Sequence, residues 1–482
     1  MKKAVILFVI FVILSINAAA LKIVNTHADG KNPVIYGSTV AFETAESDLG
    51  TDLNNDGDTN DKVIRYYNVD SGDIFNTEIA GKNPTIFAQY IAFESSEKDQ
   101  NADLNADNDT NDNIILYYSL RDKKVISTTA EGKTPSLFGD YIAFSTPAEK
   151  IRGIDYNNDG DQEDEIIKLY KISTKELTNT KAAGMNPAVS DKYIIFETLE
   201  KDEDKDLNND DDKNDIVLRY YIMESGKTLS SFTPGQKPNM NEESVAVFTS
   251  YDNGDSIYYY SVATEELKNT EVKGNTPSIT NNLISFIQDE KLAVYDTDKS
   301  AFAVTDVYGA NPTVFENKLA FSTNEALTGD LNNDGDSADS VIRIVIGEDL
   351  DNDGVYDFAD NCPDETNENQ TDKDRDGIGD ACDEDTKKAK EAEETKENTD
   401  EKAAEEEAKQ TTLLSEDKEE TKAEKTSEPK PLPEPKSFTM TKKKGPGFFT
   451  WLLILLAILA GAGCVIYAAI FGLGKRKRKF KF

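Results

Sequence analysis

Seven times along this chain a glycine is followed three residues later by a proline: Gly30/Pro33, Gly81/Pro84, Gly132/Pro135, Gly184/Pro187, Gly235/Pro238, Gly274/Pro277 and Gly309/Pro312. Successive glycines lie 51 or 52 residues apart as far as Gly235, then 39 and 35. A recurring interval of this length marks a repeat architecture, in which each unit buries its apolar face only against its neighbours. It divides a chain of 482 residues, too long for one ordinary domain, into modules.

Each unit has the same internal order. The Gly-x-x-Pro motif reads as a turn, followed by a short strand such as 34–36. A second strand carries Val40-Ala41-Phe42-Glu43, matched by Ile91-Ala92-Phe93-Glu94, Ile142-Ala143-Phe144-Ser145 and Leu319-Ala320-Phe321-Ser322. A third is rich in β-branched and aromatic residues, as in Val63-Ile64-Arg65-Tyr66-Tyr67 and Ile114-Ile115-Leu116-Tyr117-Tyr118. A fourth ends in Thr or Ser four residues before the next glycine, at Thr77, Thr128, Thr180, Ser231, Thr270 and Thr305. Four short strands per unit of this length make a propeller blade. Thr26 also stands four residues before Gly30, so 21–26 reads as a fourth strand without its blade, while the seventh unit stops after its third strand, 341–346. Each supplies what the other lacks. The expected fold is all-β: a closed seven-bladed propeller over 21–347, with the N-terminal strand completing blade 7, a closure that protects sheet edges. The paired strands, the spacing and the Ala-Phe signature resemble TolB-like propellers of cell envelopes, which implies a fold without identifying a ligand.

Between the second and third strands, five units insert an acidic loop. The first is Asp52, Asn54, Asp56, Asp58 and Asp61, side-chain oxygens at relative positions 1, 3, 5, 7 and 10. It returns as Asp103, Asn105, Asp107, Asp109 and Asp112, then as Asp155, Asn157, Asp159, Asp161 and Asp164. The last two copies are Asp206, Asn208, Asp210, Asp212 and Asp215, and Asp330, Asn332, Asp334, Asp336 and Asp339. Alternate acids in a short loop point several oxygens at one centre, which suits a hard cation such as Ca²⁺. Position 6 is Gly57, Gly160 or Gly335, otherwise Asn108 or Asp211, residues that tolerate a left-handed backbone. No Glu stands at position 12, so these are not full EF-hands; they resemble the Asp-x-Asp-x-Asp-Gly loops of other calcium-binding propellers. Further acids precede some loops, at Glu43/Glu46/Asp48, Glu94/Glu97/Asp99 and Glu197/Glu200/Asp202, and either complete the coordination or decorate the rim. Blades 5 and 6 lack the insertion, and this loop-free sector is expected to be open to a partner.

After blade 7 the spacing changes. Asp349, Asp351, Asp353, Asp357 and Asp360 precede Cys362, and Asp372, Asp374, Asp376 and Asp380 precede Cys382-Asp383. This closely resembles a thrombospondin type 3 repeat. The resemblance implies a compact calcium-bound stalk over 348–385 with little apolar core, closed by a Cys362–Cys382 disulfide. Closing a loop of that size contributes about 3 kcal/mol in the chain-entropy description.

The two ends speak to location. Residues 1–20 read as a secretory signal: Lys2 and Lys3, an apolar run, then Ala18-Ala19-Ala20. Residues 386–447 form a charged and Pro-containing disordered tether. The stretch 448–473 is apolar and long enough to span a bilayer, and the basic tail 474–482 favours a cytoplasmic C-terminus. Gly445-Pro446-Gly447-Phe448, the span and the tail together resemble a PGF-type archaeal sorting signal, which would imply processing at this end. The expected location is outside the cell, anchored in the membrane by one C-terminal helix.

Asp and Glu outnumber Lys and Arg 91 to 53, which argues against nucleic acid as a partner. The single histidine, His27, has no evident Ser or Cys partner for a triad. Acids repeated from blade to blade fit repeated architecture better than one catalytic pair. The reading is a non-enzymatic, cell-surface calcium-binding protein used for recognition or adhesion, with a surface protein or glycan as ligand. Two alternatives stand beside it: a structural surface-layer or envelope protein whose calcium serves stability alone, and a carbohydrate-active enzyme.

Overall fold

The structure, a computed structural model, describes residues 21–147, 149, 153–250 and 255–384. The predicted signal 1–20, tether 386–447, span 448–473 and tail 474–482 lie outside the described residues. Among the described residues, no helix is long and apolar enough to cross a membrane.

The strands form seven four-stranded antiparallel sheets. Six are sequential meanders: 31–80, 82–131, 133–183, 185–234, 236–273 and 275–308. The seventh is assembled from the first strand of the propeller and its last three. Its order runs from Lys22–Asp29 to Ser340–Ile346, Lys318–Asn324 and Ala310–Phe315, with Lys22 opposite Ile346 and Asp29 opposite Val341. The ring also joins through side chains, since Asn311 Nδ2 donates to Asn32 Oδ1 at 2.8 Å and Thr313 Oγ1 to Pro33 O at 3.2 Å.

The recurring residues have physical roles that differ in part from the expectation. The Gly-x-x-Pro motif is not a turn; the chain runs extended from the outer strand of one blade into the inner strand of the next, as from Lys22–Asp29 into Lys31–Tyr36. Glycine is required by contact: a Cβ on any of the seven would lie 2.3–2.6 Å from a ring carbon of that blade's phenylalanine. Those rings, Phe42, Phe93, Phe144, Phe196, Phe248, Phe286 and Phe321, are fully buried between adjacent sheets, where the core sits. The left-handed residue in the motif is the third, from Asn32 to Asn311, with φ between 48° and 53°.

The fourth strand does not end at its Thr or Ser but passes through a bulge there. Thr77 Oγ1 donates to Ile64 O, Ser231 Oγ to Leu218 O and Thr26 Oγ1 to Ile342 O, each at 2.6 Å. The other four blades repeat the bond. The next residue is left-handed in six blades, from His27 at φ 54° to Glu271 at 61°. The hydroxyl therefore caps a carbonyl freed by the extra residue.

Segment 348–384 lies against the propeller, and three of its apolar side chains belong to the propeller core. Phe358 is fully buried and, with Val355 and Ala359, packs among Leu21, Ile23, Leu292, Phe321 and Val345. Lys22 pairs with Glu348 at 2.8 Å on blade 7. A Cβ on Gly377 would meet Phe302 and Val304 of blade 6 at 3.1 Å, and Arg375 pairs with Glu271 of blade 5. The outer strands of the loop-free blades 5 and 6 thus carry this segment.

Candidate metal centres

Each acidic loop leaves the second strand and enters the third at the end where the chain passes between blades. The five loops therefore share one face of the ring. They share a backbone too. Position 4 is left-handed in every loop, with φ of 63° at Asn55, 65° at Ala106, 64° at Asn158, 65° at Asn209 and 65° at Asn333. So is position 6, from 75° at Asp211 to 111° at Gly160. The position-1 carboxylate accepts the position-6 N–H: Asp52 from Gly57 at 3.1 Å, Asp103 from Asn108 at 3.0 Å and Asp155 from Gly160 at 3.1 Å. Asp206 and Asp330 do the same toward Asp211 and Gly335. Both loops of segment 348–384 have this geometry. Asn352 and Arg375 are left-handed at 62°, and Asp349 and Asp372 accept from Gly354 at 3.1 Å and Gly377 at 2.9 Å.

A buried glutamate organises every blade loop. Glu46, Glu97, Glu149, Glu200 and Glu325 are all at 0% exposure. Glu97 accepts the N–H groups of Leu104 at 2.6 Å, Asn105 at 3.2 Å and Asp112 at 3.3 Å, gripping the loop at both ends. Glu46 and Glu200 do the same. Of the upstream acids, these point inward. Glu43, Glu94 and Glu197 instead clasp the next blade, accepting from Asn83 N at 2.6 Å, Thr134 N at 2.7 Å and Lys237 N at 2.6 Å. Sequence reasoning does not separate the two sets, and it misses Glu149 and Glu325. Their signal is a fixed distance: six residues before the first loop Asp in four blades and five in blade 7.

The carboxylates converge. Glu46/Asp58/Asp61, Glu97/Asp109/Asp112 and Glu149/Asp161/Asp164 each bring ligand atoms within 4.8 Å of one another. So do Asp107/Asp112/Glu131 and Asp29/Asp334/Asp339. Burial, then the Asp159 and Asp202 carboxylates, push Asp164 up to about 8. Burial, then Glu325 and Asp29, push Asp339 up to about 8. Asp61 and Asp112 rise to about 6, burial again leading. Oxygens of Glu149, Glu325, Asp339, Asp351 and Asp360 are buried with no hydrogen-bond partner. A donor set made only of oxygens, repelling itself and leaving buried lone pairs unused, fits a hard divalent cation.

The expected ligands at positions 3, 5 and 7 are bonded within their loops. At position 3 the amide turns its nitrogen toward neighbouring carboxylates. Asn157 Nδ2 donates to Asp159 Oδ2 at 2.9 Å and Asp164 Oδ2 at 2.6 Å, while its Oδ1 accepts from Asp159 N at 3.2 Å. Asn54, Asn105, Asn208 and Asn332 are turned the same way, toward Asp61, Asp112, Asp215 and Asp339. The physical reason is that a crowded carboxylate takes a hydrogen bond from the nearest donor. At position 5, Asp56, Asp107, Asp159, Asp210 and Asp334 each accept the position-7 N–H at 3.1 or 3.2 Å. At position 7, Asp58, Asp109, Asp161, Asp212 and Asp336 are all exposed and each turns an oxygen back on its own loop, accepting the N–H two residues on at 2.8 or 2.9 Å, the geometry of a side chain closing a turn. Asp58, Asp109 and Asp161 also join the clusters above.

In segment 348–384 the two acidic stretches enclose a polar core. Asn361 N donates to Gln370 Oε1 at 2.8 Å, Asn361 Nδ2 to Gln370 O at 3.0 Å, and Gln370 Nε2 to Asp360 Oδ1 at 2.7 Å. Burial raises Asp360 to about 6. Asp351 and Asp353 accept backbone N–H groups of their own loop, Asp357 that of Leu350 and Asp376 that of Ile378. Asp374 is exposed and Asp383 buried. Cys362 and Cys382 are disulfide-bonded. Asp380 accepts from Lys373 N at 3.2 Å and pairs with the Lys373 ammonium at 3.1 Å. His27 is exposed, with Nδ1 2.8 Å from Leu331 O.

The central channel opens on both faces. On the loop face the residues from Asn32-Pro33 to Asn311-Pro312 ring a cavity of about 440 Å³, with Lys237 its one charged lining residue. On the opposite face a second cavity of about 440 Å³ is bordered by Phe315, Tyr36, Phe87 and Phe138, half-buried rings from four successive blades. Neighbouring centroids are 4.6, 4.7 and 4.5 Å apart. Asn239, Asn241, Ser278 and Thr280 face them from the other blades.

Among solved structures, the chain is similar to an oligogalacturonate lyase from Vibrio parahaemolyticus, over 69% of this chain and 95% of that one, with 11% identity and a TM-score of 0.42. It is similar to TolB from Acinetobacter baumannii over 60% and 76%, with 12% identity and a TM-score of 0.32. The computationally designed Ika8 protein is similar over 67% and 97%, at 7% identity and a TM-score of 0.39. No family model and no curated protein matches the chain. The blade count rests on this chain's own strand pairing.

Proposed function

We propose that this chain is an exported, membrane-anchored calcium-binding propeller whose ordered surface serves recognition or adhesion. One observation carries the calcium reading: seven acidic loops, five on blades and two in segment 348–384, share one backbone conformation with left-handed residues at positions 4 and 6. Bound calcium would neutralise the converging carboxylates and stabilise the native state in proportion to its preference for that state. The thrombospondin-like reading of 348–384 gains support from the same template and from its buried Asp, Asn and Gln side chains. Export and anchoring rest on the sequence of 1–20 and 448–473.

The aromatic arc of Phe315, Tyr36, Phe87 and Phe138 supports recognition over a purely structural role. Partly exposed rings beside amides and hydroxyls suit a ligand with one apolar and one polar face, such as a sugar ring. The test is binding of the full chain to a glycan panel and to partner cells, with calcium and with chelator. Calcium-dependent binding weakened by Phe87→Ala supports recognition. Calcium-dependent stability without binding favours the structural alternative, and turnover of a polysaccharide favours the enzyme.

A further inference from the structure

Blade 7 is the one blade closed by strands from both ends of the propeller, and its acidic loop is fastened to the N-terminal strand. Three alternate residues of that strand reach the loop. Asn25 Nδ2 donates to Leu331 O at 2.7 Å, His27 Nδ1 lies 2.8 Å from the same oxygen, and the Asp29 carboxylate accepts from Asn332 Nδ2. Asp29 is only 3% exposed, and its carboxylate lies within 4.8 Å of those of Asp334 and Asp339.

Two buried groups in this cluster each leave one oxygen without a hydrogen-bond partner. Asp339 is 6% exposed, with Oδ1 unbonded, and Glu325 is 0% exposed, with Oε2 unbonded. Arg65 exerts a favourable influence on Asp29 from a distance, without a direct bond to it. Buried carboxylates gathered without a bonded counter-charge are expensive to hold unless a cation completes them.

The other blades show what is particular here. The residue equivalent to Asp29, immediately before the interblade glycine, is Ala80 in blade 1, Ala183 in blade 3 and Pro234 in blade 4. In blade 2 it is Glu131, which joins Asp107 and Asp112, but that strand is continuous with its own blade. In blade 7 alone would a fourth-strand ligand tie the beginning of the propeller to its end.

We propose that Asp29 is a ligand of a divalent-cation site formed with Asp334, Asp339 and Glu325, and that the bound cation clamps the N-terminal strand and gates closure of the ring. The cation is calcium on the reading given above, on which this inference rests. Without the clamp, Lys22–Asp29 keeps its backbone pairing but opens more often, exposing the edge of Ser340–Ile346.

The test is amide hydrogen exchange, followed by mass spectrometry, on the full chain with calcium and with chelator. Wild type, Asp29→Asn and a blade-1 control, Asp61→Asn, are compared. In wild type calcium slows exchange across 22–29 and 340–346 by about tenfold or more. Asp29→Asn removes that slowing and leaves calcium protection of 46–61 intact, whereas Asp61→Asn does the reverse. Calcium protection of the blade 1–4 loops without protection of 22–29 in wild type overturns the clamp and leaves the calcium reading standing. Undiminished protection of 22–29 in Asp29→Asn overturns it equally. No protection at any loop overturns both. The wild-type comparison decides the matter even if Asp29→Asn fails to fold.

Discussion

Glu97→Ala isolates what the buried glutamates do. The wild-type carboxylate accepts three backbone N–H groups, at 2.6 Å from Leu104, 3.2 Å from Asn105 and 3.3 Å from Asp112. A hydrogen bond to a charged group contributes about 1.5–3 kcal/mol. The two longer bonds belong at or below the low end, and water entering the exposed loop returns part of the loss. The expected destabilisation is about 2–4 kcal/mol, measured by chemical denaturation in chelator. Glu97→Gln keeps one oxygen facing Leu104 and Asn105 but cannot accept from Asp112 through its amide nitrogen, so about 1–2 kcal/mol is expected. Calcium titration by calorimetry should return one ion fewer for the alanine variant, because the grip that sets positions 1 to 10 is gone. An alanine variant within about 0.5 kcal/mol of wild type, with full calcium stoichiometry, would refute the assignment of Glu97 as the organiser of the blade-2 loop.

Three other outcomes are expected. Gly132→Ala places a methyl 2.3 Å from Phe144 Cδ2 and 2.8 Å from Cε2, and should cost about 1–3 kcal/mol by overpacking; an unchanged melting temperature would count against the contact role of the glycines. Burial raises the Glu197 carboxyl above its ordinary 4.5, with the bonds from Lys237 N and the Asn186 amide only partly opposing. The fold therefore favours the protonated form: the stability it contributes is full below 4.5 and lost as pH rises through the elevated folded value. Glu197→Gln should flatten that part of the stability–pH curve, and an unaltered profile would exclude the effect. Replacing Cys382 by Ser should loosen 348–384 by about 3 kcal/mol, read as faster hydrogen exchange there with the blade strands unaffected; equal exchange in the two proteins would show that packing of Phe358 and the polar core suffice.

The loops show why some of the site was legible and some was not. Aspartates on alternate positions followed by glycine announce themselves in a linear sequence, because the chain itself brings positions 1 to 10 together. The position-6 reading holds even where Asn108 and Asp211 replace glycine, at φ 78° and 75°. Spacing does not say which atom of a side chain faces its neighbours: Asn157 offers its nitrogen to the carboxylates, and every position-7 aspartate bonds back to its own loop. Glu325 carries the same chemistry as the loop acids but stands beyond the loop, separated from Asp330 by Ala326-Leu327-Thr328-Gly329, and only its distance from the first loop Asp marks it. Asp29 is more hidden still. It meets Asp334 only because the two ends of the propeller share a sheet.

The glycine motif makes the same point about the fold. Its period counts the blades, and the orphan Thr26 identifies the closing strand. Its reading as a turn fails, since a glycine demanded by a neighbouring ring looks the same in sequence as one demanded by a positive φ. The Thr and Ser positions mark a bulge rather than a strand end, because a hydroxyl that caps a carbonyl across the sheet leaves no local sign.

By itself, then, the sequence determined what depends on residues near one another: seven units, four strands in each, five blade loops and two more beyond, and the split seventh blade. Tertiary structure decided what depends on surfaces meeting across the ring. It laid segment 348–384 along blades 7, 6 and 5 through Phe358, Gly377 and Arg375. It gathered four aromatic rings from four blades at one mouth of the channel. It brought Asp29 to a loop some three hundred residues away. Periodicity records the repeated local solution to burying a sheet, whereas these contacts arise only when the ring closes and residues far apart in the chain share one environment.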